Sequence, residues 1–298
     1  MSDRDNSDDR FDLVAAVPPQ SLSEQARIVI KIGRLKPQQV SQVVAWQKKH
    51  GLNFASAAIQ LGFIRREELM SAISRQYSYP ILSGDSEGER FSSELVVGHE
   101  PFDSAAEAVR SIRTSMVATA IAQGTRSFAV VAPRRGSGST FFAANIALAF
   151  AQMAMPTLLV DANLRDPRIA EMFGMSRHQQ GLCHALRRED AYENFIIPDI
   201  VPGLSILTAG DIPPNPQELL SSAEFISLTN NLEQDFGVVI YDTAAAIEFA
   251  DASIVVARVG AAIIIARQHE TSFEDVTTLA QKFRASQCKF IGTVMNAY

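Results

Sequence analysis

Apolar residues follow two different rhythms along this chain. Over residues 21–82 they recur at three- and four-residue spacing and are broken at glycines, which predicts short amphipathic helices. From Pro101 onward, compact apolar runs alternate with helix-length segments. Ser127–Ala132, Thr157–Asp161, Leu204–Thr208, Val238–Asp242, Ala261–Arg267 and Lys289–Asn296 are the expected strands, and Phe141–Met153 is an expected helix. Strands separated by helical connections imply an α/β class with a mostly parallel sheet covered on both faces. The longest apolar stretch, Ile254–Ala266, is interrupted at Arg258 and reads as two buried strands.

The helical segment contains a repeat. Gly33, Leu35, Val40, Val44 and Gln47 recur 29 residues later as Gly62, Ile64, Leu69, Ile73 and Gln76. Each copy reads as helix, glycine turn, helix, and two copies can close one small core with Trp46 and Phe54 as its filling. The domain plan is then a mobile acidic tail over 1–20, the helical domain over 21–82, a linker over 83–100 and the α/β domain over 101–298. The run Ser83-Gly84-Asp85-Ser86-Glu87-Gly88-Glu89-Arg90 suggests the linker.

Composition narrows the function. The 298 residues carry a net charge of −6, which gives no bulk support for nucleic-acid binding. Cys183 and Cys288 have no partner at metal spacing and read as buried reduced thiols of a cytoplasmic protein. The five histidines show no ligand spacing. No apolar run reaches transmembrane length and no signal core opens the chain, so membrane work would need a partner.

The chemistry gathers where the first α/β strand runs into Pro133-Arg134-Arg135-Gly136-Ser137-Gly138-Ser139-Thr140. Strand, glycine loop and helix together make a phosphate cradle: glycines let main-chain N–H groups converge, and the helix N-terminus adds positive potential. The Thr140 hydroxyl would hold Mg²⁺. The lysine that ordinarily precedes that threonine is here Ser139, a register supported by Asn145 in the following helix. The alternative, an ordinary glycine turn, is disfavoured by Asp161 and Asp242, which close two strands beside the loop. Asp242 suits a metal role and Asp161 a general base. Either aspartate could instead cap a helix.

At these residues the chain resembles the bacterial tyrosine kinases of capsule and exopolysaccharide synthesis, within the MinD/ParA-like P-loop superfamily, and specifically the chain-length-determinant autokinases of the EpsG type. Glu107-x-x-Arg110-x-x-Arg113-Thr114 resembles the family's ring-forming helix, so Glu107, Arg110 and Arg113 are candidate subunit contacts. Asp161-x-Asn163-x-Arg165 is similar to its second acidic motif and Asp242-Thr243 to its Walker B motif. Gly210-x-x-Pro213-Pro214-Asn215-Pro216-x-Glu218-Leu219-Leu220 matches a family string. Gly292-x-Val294-x-Asn296 resembles a strand whose asparagine lies near adenine. Ser139, Asn163 and Ala244-Ala245 depart from the pattern. Of the family's tyrosine tail, Tyr298 alone remains as a candidate phosphoacceptor.

The resemblance implies ATP or ADP with Mg²⁺ as ligand, bound by Arg134, Arg135, Gly136, Ser137, Gly138, Ser139, Thr140 and Asn296. Loss of one charge-assisted hydrogen bond costs about 1.5–3 kcal/mol, roughly ten- to a hundredfold in affinity. Loss of one donor to developing charge costs about a hundred- to a thousandfold in rate. The expectation is therefore a weak kinase or a pseudokinase, a homo-oligomer, cytoplasmic and peripheral to the inner membrane through a Wzz-like chain-length regulator. A non-catalytic nucleotide-binding scaffold and a MinD/ParA-like ATPase are the alternatives. Arg134 or Arg135 is the candidate substitute for the missing lysine. The repeat resembles the N-terminal domain of type II secretion ATPases, which implies cyclic di-GMP or protein docking. Glu24-Gln25-Ala26 and Asn53-Phe54-Ala55 replace that motif's Arg-Leu-Gly starts and favour docking.

Overall fold

The computed structural model describes residues 23–66, 68, 69, 72, 82, 90–101, 103–188 and 190–297. Ile73, Gln76 and Tyr298 lie outside the described residues. The chain divides into two compact units, Met1–Tyr77 and Ser78–Tyr298.

The first unit contains α1 (Glu24–Gly33), α2 (Pro37–His50) and α3 (Phe54–Gln60). Local chemistry sets their ends. Ser23 Oγ accepts the Ala26 N–H and Asn53 Oδ1 accepts the Ser56 N–H, each satisfying a donor that the helix leaves open. Pro37 starts α2, where its missing N–H costs nothing, and Gly51 ends it in the left-handed region at φ 66°. Repeat-related positions are buried in both copies, Leu35 with Ile64 and Val40 with Leu69. The turns differ: Gly62 itself takes positive φ, whereas Gly33 stays helical and Arg34 takes the left-handed position. Phe54 is buried, but Trp46 is only half-buried. Its indole N–H donates to Gln60 Oε1 at 3.1 Å, so it sits at the margin of the small core.

In the second unit the elements are α4 (Val96–His99), α5 (Ser104–Thr119), β1 (Ser127–Val131), α6 (Ser139–Ala151), β2 (Thr157–Asp161), α7 (Ile169–Met172), α8 (Leu182–Leu186), β3 (Ile197–Val201), β4 (Leu204–Leu207), α9 (Pro216–Leu220), α10 (Ala223–Asp235), β5 (Val238–Asp242), α11 (Asp251–Val259), β6 (Ala261–Arg267), α12 (Phe273–Ala285) and β7 (Lys289–Asn296). The described strands form one sheet in the order β3-β4-β2-β5-β1-β6-β7. All neighbours are parallel except the edge pair β3–β4. Alternate residues feed opposite faces. Phe128, Val130, Ile240 and Ile263 pack under α5 and α6; Ala129, Val131, Tyr241 and Ile264 pack with residues of α10, α11 and α12.

Three sequence expectations change. Asp251–Val259 is a helix, not a strand. Ala252, Val255, Val256 and Val259 form one buried helical stripe, and Gly260 ends it at φ 79°. The hairpin strand β3 went unanticipated because Pro198 and alternating exposure mark it as an edge. The stretch 83–100 is not a linker over 90–100. Phe91, Leu95 and Val97 join the core beneath α6, and so does Leu82, which was assigned to the helical domain. The Leu82 N–H donates to Gly98 O, and a Cβ on Gly98 would stand 2.5 Å from Leu82 Cδ1.

A phosphate cradle and its carboxylate wall

β1 delivers the chain into the loop 132–138, and α6 begins at Ser139. Within α6 every residue except Ser139 and Phe141 is buried, so these two face the cleft beside the loop. Gly136 and Gly138 take φ of 78° and 90°, a region that side chains with a Cβ avoid. At Gly138 a Cβ would also stand 2.3 Å from Asn296 Nδ2. The loop is braced from several elements. Ser137 Oγ donates to Arg134 O at 2.8 Å, Asn296 Nδ2 to Ser137 O at 3.1 Å, and Arg267 Nη1 to Gly136 O at 3.1 Å. Asn296, at the end of β7, thus reaches the loop.

Thr140 Oγ1 donates to Asp242 Oδ2 at 2.6 Å. Asp242 Oδ1 has no hydrogen-bond partner although it is fully buried. Asp161 lies beside it, in register across β2 and β5. Burial pushes the Asp242 carboxyl up, to about 7. Burial, and then the neighbouring Asp242, push Asp161 well above the usual carboxylate range. An orphaned buried carboxylate oxygen next to a threonine hydroxyl fits a divalent cation, which would supply the missing positive charge. The glycine loop opening into the α6 N-terminus fits polyphosphate.

Other expected residues are placed differently from the simplest picture. Asp161 is fully buried and both its oxygens are engaged: Oδ1 accepts the Asn163 N–H at 3.2 Å and Oδ2 the Ile169 N–H at 3.0 Å. Asn163 folds onto its own turn, with Nδ2 donating to Asp166 O at 2.9 Å and Oδ1 accepting the Asp166 N–H at 3.2 Å. Arg134 pairs with Asp275 at 3.1 Å, and Arg135 lies between Asp166 at 3.5 Å and Glu248 at 3.9 Å. On α5, Arg110 pairs with Glu107 at 2.8 Å and also binds Pro101 O, while Arg113 donates to Ala149 O at 2.7 Å. Glu107 is the more exposed of the first pair. Cys183 and Cys288 are buried and not disulfide-bonded.

The cleft, about 180 Å³, is also lined by residues that sequence reasoning did not single out. Arg168 and Glu94 form an ion pair at 2.9 Å on its wall, and Phe249 lies near them. The Phe249 ring carries Arg165, 4.0 Å from its centroid. Asn145 proves to be a buckle: Oδ1 accepts the Val97 N–H at 3.0 Å and Nδ2 donates to Glu94 O at 2.8 Å and to Phe141 O at 2.9 Å. The segment before the α/β domain is thereby pinned to the phosphate-loop helix. Only the run of charge in Leu164-Arg165-Asp166-Pro167-Arg168 could have signalled the wall.

Comparison with known proteins agrees with this geometry. No family model matches the chain. It is 29% identical over 209 residues to the tyrosine-protein kinase YwqD of Bacillus subtilis, covering 70% of this chain and 88% of that one. It is 27% identical over 216 residues to the putative tyrosine-protein kinase EpsB of Ralstonia solanacearum. That match takes in 72% of this chain but spans 29% of EpsB. Among solved structures, the VpsO kinase domain superposes with a TM-score of 0.60 at 30% identity, over 65% of this chain and 95% of that one. The Pyrococcus furiosus cell-division ATPase MinD shares the fold, with a TM-score of 0.52 at 18% identity over 58% of this chain and 73% of that one. Among the described residues no helix is long and apolar enough to cross a membrane.

Proposed function

The chain belongs to the bacterial tyrosine-kinase family, and from that premise we propose that it binds Mg-ADP and Mg-ATP but transfers phosphate weakly or not at all. The observation that supports this is a glycine loop with Thr140 and Asp242 beside it but without its usual cation. Gly136, Gly138, Thr140 and Asp242 keep their places, while Ser139 stands at the lysine position and no lysine lines the cleft among the described residues. Main-chain amides and a metal held at Thr140 and Asp242 are enough to bind a diphosphate. A mobile cation following charge onto the transferred group is what phosphoryl transfer additionally demands.

The second departure points the same way. Asn163 carries no charge and is occupied by its own turn, so it adds nothing to the charge of the paired strand-end carboxylates Asp242 and Asp161. As Asp161 is closed off by two N–H donors, a general base at that position would require the 162–169 loop to move.

In the cell this chain is proposed to act in exopolysaccharide or capsule synthesis from the cytoplasmic side, as a homo-oligomer held at the inner membrane by a chain-length regulator of the co-polymerase type. Calorimetry with ADP and ATP, with and without Mg²⁺, followed by mass spectrometry of the tyrosines, tests the nucleotide reading. Micromolar to low-millimolar binding with little phosphotyrosine is expected, and Ser139→Lys is expected to tighten binding about tenfold or more and to raise phosphotyrosine. Vigorous phosphorylation by the wild type, or no binding at millimolar nucleotide by folded protein, overturns the proposal.

A further inference from the structure

We propose that Arg168 supplies the cation the phosphate loop lacks, and that Glu94 holds it in waiting when no nucleotide is present. The inference rests on the nucleotide-binding reading above and identifies a residue for it.

Three arginines line the cleft with the glycine loop: Arg134, Arg135 and Arg168. The first two lie within the loop itself, just before Gly136, and are the obvious substitutes for the lysine. Their partners draw them elsewhere. Arg134 reaches α12, where the Asp275 side chain is only 18% exposed, so pulling the pair apart would leave a mostly desolvated carboxylate behind. Arg135 lies between two carboxylates, Asp166 and Glu248, and its own N–H also faces Glu248 Oε1 at 3.4 Å. Arg267 spends one nitrogen on the Gly136 carbonyl, on the loop's supporting side.

Arg168 differs in three respects. It approaches from the opposite wall, at the start of α7, facing the loop across the cleft. The residue after it, Ile169, donates its N–H to Asp161, which stands in register with Asp242, so the base of the side chain lies beside the paired carboxylates. Among the described residues its ion-pair partner is Glu94, whose side chain is 40% exposed, so the pair can open at little cost. The main chain beneath it is fixed: Asp161 Oδ2 accepts the N–H of the next residue, Ile169, and the Arg165–Asp251 pair clamps the middle of the same loop. A long side chain on a fixed base, held by a weak surface pair, can swing to a phosphate without moving the backbone.

Glu94 is equally well anchored. Its carbonyl accepts from Asn145 on α6 and its N–H donates to Ser92 Oγ at 3.2 Å. Its carboxylate therefore stays at the cleft, where it competes with phosphate for the guanidinium and repels the same phosphate directly. Arginine binds phosphate through a planar fork of donors, so a bidentate contact from the far wall can replace a lysine on the near wall as a source of charge. It does so without following the transferred group, because its base is not on the phosphate loop.

The test is Mg-ADP and Mg-ATP affinity by calorimetry on the full chain, with thermal melting to establish that each variant is folded. Arg168→Ala is expected to weaken binding at least about tenfold, and Arg168→Lys by less. Glu94→Gln is expected to tighten binding about threefold or more, a gain that misfolding does not produce. In the Arg168→Ala background, Ser139→Lys is expected to restore what was lost. Arg135→Ala is the control and is expected to change affinity less than Arg168→Ala. If the wild type binds and Arg168→Ala binds as well, or Glu94→Gln binds more weakly, Arg168 is not the substitute and nucleotide binding stands without it. If the folded wild type binds neither nucleotide, both proposals fall.

Discussion

Replacing Arg165 by alanine removes the clamp on the loop that forms the cleft's far wall. Arg165 Nε lies 2.7 Å from Asp251 Oδ2 and its Nη2 3.0 Å from Oδ1, a two-pronged pair. The Asp251 side chain is 0% exposed and that of Arg165 25%, so this is not a surface ion pair of the kind that contributes about 0–1 kcal/mol. Truncating one partner of a buried pair leaves the other charge uncompensated and costs about 3–5 kcal/mol. Losing the guanidinium from the face of Phe249 adds about 0.5–1 kcal/mol. The expected loss is about 5 kcal/mol, a large part of a typical domain stability of about 5–15 kcal/mol. Urea unfolding followed by far-ultraviolet circular dichroism measures it. The chain's single tryptophan, Trp46, lies in the small helical unit and separately reports that unit, whose transition is expected to stay put. The double variant Arg165→Met with Asp251→Leu is expected to regain much of the loss, since no buried charge is then left alone. A single-variant loss under about 1 kcal/mol, or a double variant no better than the single, refutes the reasoning.

Two further outcomes follow from the same wall. Burial keeps the Asp242 carboxyl protonated up to about 7 in the folded chain, well above its unfolded value. The folded state therefore binds more protons between those two values, and the stability this group contributes is full below the unfolded value and lost as pH rises toward the folded one. The melting temperature of the nucleotide-free wild type is expected to climb as pH falls from about 7 to about 5, and to climb less in Asp242→Asn; an equal climb in the two would exclude the mechanism. Asn145→Ala orphans the Val97 N–H and the Glu94 carbonyl, at about 1–3 kcal/mol for each buried group left unmade. Limited proteolysis with mass spectrometry is expected to find faster cleavage within residues 90–100, and unchanged cleavage would show that the buckle carries no strain-bearing role.

The sequence by itself determined whatever depends on neighbours along the chain. Six of the sheet's strands could be read from short apolar runs, and the phosphate loop from glycines set between a strand and a helix. The place of Ser139 directly before Thr140 was legible for the same reason: a glycine loop between a strand and a helix is written in consecutive residues. The failures mark the limit of local information. Asp251–Val259 has β-branched residues that suit a strand, yet the helical stripe on its buried side suits a helix, and only the layer it covers selected between them. Residues 90–100 looked like a connector because the groups that hold them are remote. Asn145 lies 48 positions from Val97. Thr140 and Asp242 are 102 positions apart, and Arg165 and Asp251 are 86 apart. Which carboxylate each cleft arginine pairs with, and how far burial raises two aspartates in register, were likewise left to the tertiary structure. Charge, burial and hydrogen-bond supply at a point are set by everything packed around it, and sequence spacing does not record which distant segments those are.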